Sequence, residues 1–160
     1  VSIYYHFHAI PLEAGSIILP GNWGRMLETY TTADINYILA REQTYEMVRL
    51  QSFNHLPSRL NCVFLFEDIN SALNSYHHFP RCLLSEIELV DPSQPIHKGD
   101  MGLADSPNSP TPYKKAIEDR AQGFWSGNNI TGSVMEVITS SPVRIVRTLH
   151  KSHFHMLGLA

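Results

Sequence analysis

The stretch Gly132-Ser133-Val134-Met135-Glu136-Val137-Ile138-Thr139-Ser140-Ser141-Pro142-Val143-Arg144-Ile145-Val146-Arg147-Thr148-Leu149 reads as two strands, Gly132 to Ile138 and Val143 to Leu149, joined through Ser140-Ser141-Pro142. Its β-branched residues favour extended backbone, and the serines and proline punctuate the run. Upstream, Lys114 to Gln122 reads as a short helix and Phe124-Trp125-Ser126-Gly127-Asn128-Asn129 as a turn-rich connection. Residues 91–112 hold five prolines among Ser, Asp and Gly, which predicts a long irregular loop. Cys82 to Val90 and Leu60 to Phe66 read as strands, and Asp68 or Asn70 can cap a short helix through Ala72, Leu73 and Tyr76 that stops before Pro80. From Thr32, Ile35, Ile38, Leu39, Met47 and Val48 fall on one helical stripe. Asp34 and Glu42 lie towards the start and Arg49 near the end, as the helix dipole favours, and Pro57 ends the run. Pro11 to Gly24 is an ordered loop around a short extended piece. At the front, Ser2-Ile3-Tyr4-Tyr5-His6-Phe7-His8-Ala9 forms a strand with Ile3, Tyr5 and Phe7 on one face and Tyr4, His6 and His8 on the other. The resulting order of strands and helices predicts an α+β fold, with flanking helices on a mixed or antiparallel sheet.

Composition bounds what this fold does. With 160 residues and 43% hydrophobic content, the chain carries apolar mass for one core, so residues 1–160 are expected to be a single domain. A net charge of −3 gives no basic footprint for charge-driven nucleic-acid binding, although a local basic groove stays open. Two cysteines, Cys62 and Cys82, without a CxxC pair point to reduced thiols in a cytoplasmic protein. No run approaches the roughly 20 apolar residues of a membrane helix, and no basic segment with an apolar h-region opens the chain. No membrane association or export is expected, although a chain opening at Val1 leaves room for a lost leader or tag.

Three places hold residue types that chemistry needs. His6 and His8 project from one strand face, where they could bind a ligand or simply cover a sheet edge. Glu136 stands between Val134 and Ile138 on a strand face, and a carboxylate there is expensive to desolvate unless it meets a cleft, a partner or solvent. The remaining histidines, His77, His78, His97, His150, His153 and His155, lack an HExxH arrangement, so no metal site is expected. The chain has no GxxxxGK[ST], GxGxxG or GxSxG motif, which weighs against P-loop, Rossmann and hydrolase-elbow chemistry.

Tyr5-His6-Phe7-His8, followed by Leu12-Glu13-Ala14-Gly15-Ser16-Ile17-Ile18-Leu19-Pro20-Gly21, resembles the opening of rifampin ADP-ribosyltransferases, a Tyr-His-Gly-Thr strand leading to a Leu-x-x-Gly-Asp segment that ends in Pro-Gly. Asn61-Cys62-Val63-Phe64-Leu65-Phe66 with Asn70-Ser71-Ala72-Leu73-Asn74-Ser75-Tyr76 is similar to the second strand and helix of that superfamily. Glu136, just before Ser-Ser-Pro-Val-Arg-Ile-Val, resembles the closing strand of DNA-base-modifying ADP-ribosyltransferase toxins. Pro57-Ser58-Arg59-Leu60-Asn61 and Phe124-Trp125-Ser126-Gly127 are similar to a little-characterised set of bacterial and phage proteins placed beside these enzymes.

The resemblance implies an ADP-ribosyltransferase-type domain that uses NAD as co-substrate, without a metal, and releases nicotinamide. Glu136 would be the catalytic carboxylate beside the developing ribosyl cation. His6 would bind a ribose of NAD, with His8 in place of the usual small hydroxyl residue and Phe7 in place of glycine. Phe64 or Phe66 would stack on nicotinamide, Arg59 would hold the pyrophosphate unless it makes a surface salt bridge, and Trp125 would meet the acceptor. His6 and Glu136 are then expected to share one cleft. The acceptor, whether protein, nucleic-acid base or small molecule, stays open, with absence of a basic run leaning towards protein or small molecule, and a toxin of this kind could have an antitoxin or inhibitor partner. A non-catalytic nucleotide- or partner-binding module of the same fold is the competing class, and a metal-dependent hydrolase using His6 and His8 a third.

Overall fold

A computed structural model describes residues 2–33, 37–105 and 110–149. Positions Asp34 and Ile35 of the expected helical stripe, and His150, His153 and His155, lie outside the described residues.

Among the described residues, seven strands and four helices form: β1 (Ile3–His8), β2 (Ile17–Ile18), α1 (Asn22–Leu27), α2 (Tyr37–Ser52), β3 (Val63–Leu65), α3 (Ile69–Asn74), β4 (Leu83–Leu89), β5 (Ile96–Asp100), α4 (Tyr113–Ser126), β6 (Met135–Thr139) and β7 (Val143–Leu149). Short 3-10 turns stand at Arg59–Asn61, Tyr76–His78 and Met101–Ala104. The strands form two sheets, β1-β4-β7-β2 and β3-β6-β5, every pairing antiparallel. An α+β fold with flanking helices is therefore present, and its sheets are antiparallel rather than mixed. The two sheets meet where Tyr5 and Phe66 exchange main-chain hydrogen bonds of 2.9 and 2.8 Å.

Alternation along these strands creates three apolar layers. Val63, Leu65 and Val137 from one sheet meet Ile87, Val143 and Ile145 from the other, so one core lies between the sheets. The opposite face of β3 and β6 packs through Cys62 and Ile138 on Tyr45 and Val48 of α2 and on Ile117, Ala121, Phe124 and Trp125 of α4. A third cluster at the seam gathers Phe7, Phe66 and Leu84 against Ala72 of α3.

Several boundaries differ from the sequence reading. The expected loop at residues 91–112 contains β5, because Ile96-His97-Lys98-Gly99-Asp100 fits whole between the first and second proline clusters and pairs with β6. The expected turn at Phe124-Trp125-Ser126 is the last turn of α4, which ends only where Gly127 takes φ 75°, a left-handed conformation that glycine adopts without steric cost. The Pro11 to Gly24 loop contributes β2 and enters α1. Asp68 caps α3, its carboxylate accepting from the Ser71 amide at 2.9 Å.

Candidate functional site

Glu136 lies on β6 between Met135 and Val137. Val137 points into the layer between the sheets, so Glu136, like Ile138, points towards α2 and α4. It is 6% exposed, and an unpaired carboxylate would be costly there. Its partner is Arg59: the Arg59 Nη1 donates to Glu136 Oε1. Ser58 starts the 3-10 turn that delivers this arginine, its hydroxyl accepting from the Leu60 amide at 3.1 Å.

Behind Arg59 stands Glu42 of α2. The guanidinium grips it in a fork, Nε to Oε2 at 2.9 Å and Nη2 to Oε1 at 3.2 Å, and Arg41 adds a bond from Nη2 to Oε1 at 2.8 Å. Two arginines thus balance two carboxylates in a largely buried site, where the Glu136 and Arg41 side chains keep 8% and 11% of their exposure. The guanidinium carbon also lies 4.7 Å from the Phe124 ring centre, 5.0 Å from Phe64 and 5.7 Å from Tyr45, within cation–π range on three sides. Burial alone would push the Arg59 pKa down, but Glu136 and Glu42 more than offset it and leave the group firmly charged. Burial pushes Glu42 up, and Arg59 and Arg41 bring it back below its ordinary value.

Gly99 gives this assembly room. It sits opposite Glu136 in the β5–β6 register, and a Cβ there would collide with the Phe124 ring that covers Arg59. Next to it, His97 Nε2 donates to the Phe124 carbonyl at 2.9 Å. At the head of β6, Asp100, fully buried, accepts from the amides of Gly102, Ile130 and Thr131 and from the Thr131 hydroxyl, which fixes the loop leading into Glu136.

The histidines lie elsewhere. His6 shares its β1 face with Tyr4, which packs in the layer between the sheets, whereas Glu136 leaves β6 of the other sheet on the side away from that layer, so the two share no cleft. His6 Nδ1 is 2.8 Å from the Phe64 carbonyl. A carbonyl only accepts, so Nδ1 carries the proton and Nε2 keeps a lone pair. Burial lowers its pKa to about 4. His8 is fully engaged, with Nδ1 2.7 Å from the Ile10 carbonyl and Nε2 2.7 Å from Ser85 Oγ, so a structural role replaces the expected ligand contact.

The structure brings Arg59, Phe64 and Glu136 together, and it removes three assignments. Arg59 is 5% exposed and its Nε, Nη2 and Nη1 are turned to Glu42 and Glu136, so it is a buried ion pair rather than a surface salt bridge and meets carboxylates where a pyrophosphate was expected. Phe66 packs in the seam cluster edge-on to Phe7. Trp125 is 2% exposed and donates to the Tyr45 carbonyl at 2.9 Å, so it presents no surface to an acceptor. Sequence reading missed Glu42. Its place three residues before Tyr45 on the buried stripe was the available signal, because a glutamate at a core-facing helix position needs a cation. Among the described residues no three His, Cys, Asp or Glu side chains converge as metal ligands, and no helix is long and apolar enough to cross a membrane.

The model of the family described as "Protein of unknown function (DUF2441)" matches residues 17–151, a span that holds Glu42, Arg59 and Glu136 and begins after β1. No curated protein matches the chain.

Proposed function

We propose that this chain, which belongs to the DUF2441 family of proteins of unknown function, is an ADP-ribosyltransferase that uses NAD as co-substrate, with Glu136 as its catalytic carboxylate. The observation that carries this reading is lateral adjacency. The three segments that resemble the superfamily are far apart in sequence, yet β1 joins β3 through Tyr5 and Phe66, and β3 pairs with β6 through Leu65 and Val137.

Cleaving the bond between nicotinamide and ribose produces a cationic sugar, so the protein's main task is to hold negative charge beside it. Glu136 is suited to this. In this reading Arg59 fixes one oxygen and the other accepts a ribose hydroxyl. His6 serves the fold of the site, tying β1 to β3 through the Phe64 carbonyl, and its Nε2 can accept only from a donor that reaches the layer between the sheets. The acceptor of the ADP-ribosyl group is a protein, a nucleic-acid base or a small molecule, and a net charge of −3 leans towards the first and last.

One observation favours the second reading, a nucleotide- or partner-binding module without turnover: Arg59 already pairs with Glu136 and the two face away from His6. Calorimetric titration with NAD alongside release of nicotinamide separates the two. Binding with nicotinamide release supports the transferase, binding without release supports the module, and neither binding nor release removes both NAD-based readings.

A further inference from the structure

We infer that Arg59 is a positioning residue for Glu136, anchored from behind by Glu42 and walled by Phe64, Phe124 and Tyr45, so that the carboxylate is held in one place on β6 through its Oε1. This rests on the transferase reading and adds the residues that make its carboxylate usable.

The geometry separates this role from ordinary ion pairing. A guanidinium held at one carboxylate alone keeps rotational freedom about its long side chain. Here Nε and Nη2 are spent on Glu42, so the fork is fixed before Nη1 reaches Glu136. Glu42 is itself held by Arg41, and α2 holds both. The rings prevent water from competing for the guanidinium faces. The direction of anchoring therefore runs from α2 through Glu42 and Arg59 to β6. Tyr45 on α2, Cys62 after the 3-10 turn and His97 on β5 also face this chain of contacts, with Glu46, His55 and Arg120 acting on them from further out. Burial raises the Tyr45 and Cys62 pKa values and lowers that of His97, so all three are neutral near pH 7.

The test uses the whole chain and two kinds of reading. Nitrogen-15 NMR of the protein without NAD follows the Arg59 side-chain N–H groups. Slow solvent exchange at Nε and Nη is expected, with the Nη1 signal moving in Glu136→Gln while Nε stays protected, and rapid exchange in the wild type would overturn the anchoring. Kinetics then uses Glu42→Gln, which leaves the Arg59–Glu136 pair but takes the charge and one of the two acceptors from the anchor, and Arg59→Lys, which keeps the charge without the fork. Each variant is first shown to be folded by near-ultraviolet circular dichroism. A fall in kcat of about tenfold or more with KM for NAD changed by no more than about twofold is expected, because a misplaced group costs the transition state more than the ground state. A smaller folded fraction would also lower apparent kcat at constant KM, so each rate is taken per folded molecule, with the folded fraction read from a urea curve under the assay conditions. Wild-type kcat in both folded variants of a protein that does consume NAD overturns the positioning role and leaves the transferase reading standing. A wild-type chain that consumes no NAD overturns both. Should Arg59→Lys not fold, Glu42→Gln and the NMR measurement decide.

Discussion

At the scale of single residues, the site is a balance of buried charges, and its substitutions are expected to separate folding from chemistry. Glu136→Gln keeps a carbonyl oxygen for Arg59 but removes half of the balancing charge. Stability should fall by about 1–3 kcal/mol, the range for a hydrogen bond to a charged group, as read from urea unfolding. Turnover of NAD should fall by about 10²-fold or more, since the lost charge acts chiefly in the transition state. Arg59→Met should be worse for folding, by about 3–5 kcal/mol, because it strands Glu42 and Glu136 together without a cation between them. A midpoint within experimental error of the wild type would show that water or rearrangement relieves the carboxylates. The sequence made Glu136 conspicuous, since a carboxylate inside an apolar strand asks for a partner. It could not name that partner, because Arg59 lies 77 positions earlier and short-range spacing says nothing about which cation arrives. Arg59 was picked out for phosphate on residue type, and its actual task depends on Glu42, whose burial is visible only from the helical stripe it shares with Tyr45 and Val48.

At the scale of elements, the close approach of α4 to β5 governs whether the aromatic wall forms. Gly99→Ala should push the Phe124 ring off Arg59 and destabilise the fold by about 1–3 kcal/mol, the usual cost of overpacking. Lys98→Ala, on the neighbouring position and facing outward with its amine at Glu67, should cost less than about 0.5 kcal/mol. Equal effects of the two would mean that α4 slides to accommodate the methyl group. Strands with strong β-branched patterns, β1 and β7 above all, were legible with their boundaries nearly intact. The far end of α4 was not, because Trp-Ser-Gly-Asn-Asn looks like a turn when read locally. The longer pattern Ile117, Ala121, Phe124 and Trp125, spaced by four, three and one, places those residues on one helical face and outweighs the local signal. β5 was hidden for the opposite reason: its neighbours are proline-rich, and its five residues contain one glycine and two charges, so only pairing with β6 makes it a strand.

At the scale of the whole molecule, several groups push its response to acid in one direction. His6 is depressed by burial to about 4 from an ordinary value of 6.5, and His97 is also lowered. Between these values the unfolded chain takes up protons that the folded chain refuses, so stability present above pH 6.5 is lost as the pH falls towards 4. Below that, Glu42 and Asp100, both held under their ordinary values, lose their bonds on protonation and extend the decline. His6→Asn should flatten the upper part of this curve by on the order of 2 kcal/mol, allowing for the partial exposure of the ring. Urea midpoints between pH 7 and pH 4 check this, and an unchanged slope would remove His6 as its source. The antiparallel layering was legible only in outline, since register between strands set by residues 3–8, 83–89 and 143–149 depends on tertiary closure. That closure has a narrow point. The main-chain seam at Tyr5 and Phe66 consists of two hydrogen bonds, joined by the bond from His6 Nδ1 to the Phe64 carbonyl, so the sheets are expected to part there like the covers of a book while each cover keeps its own ladder. Deuterium should therefore enter the Tyr5 and Phe66 amides well before those of Val137 and Ile138, through a local opening that costs less than global unfolding. Each such opening would momentarily wet the apolar spine between the covers and turn His6 Nε2 towards solvent, making the seam the slowest-guarded yet most readily breached entrance to the protein's interior.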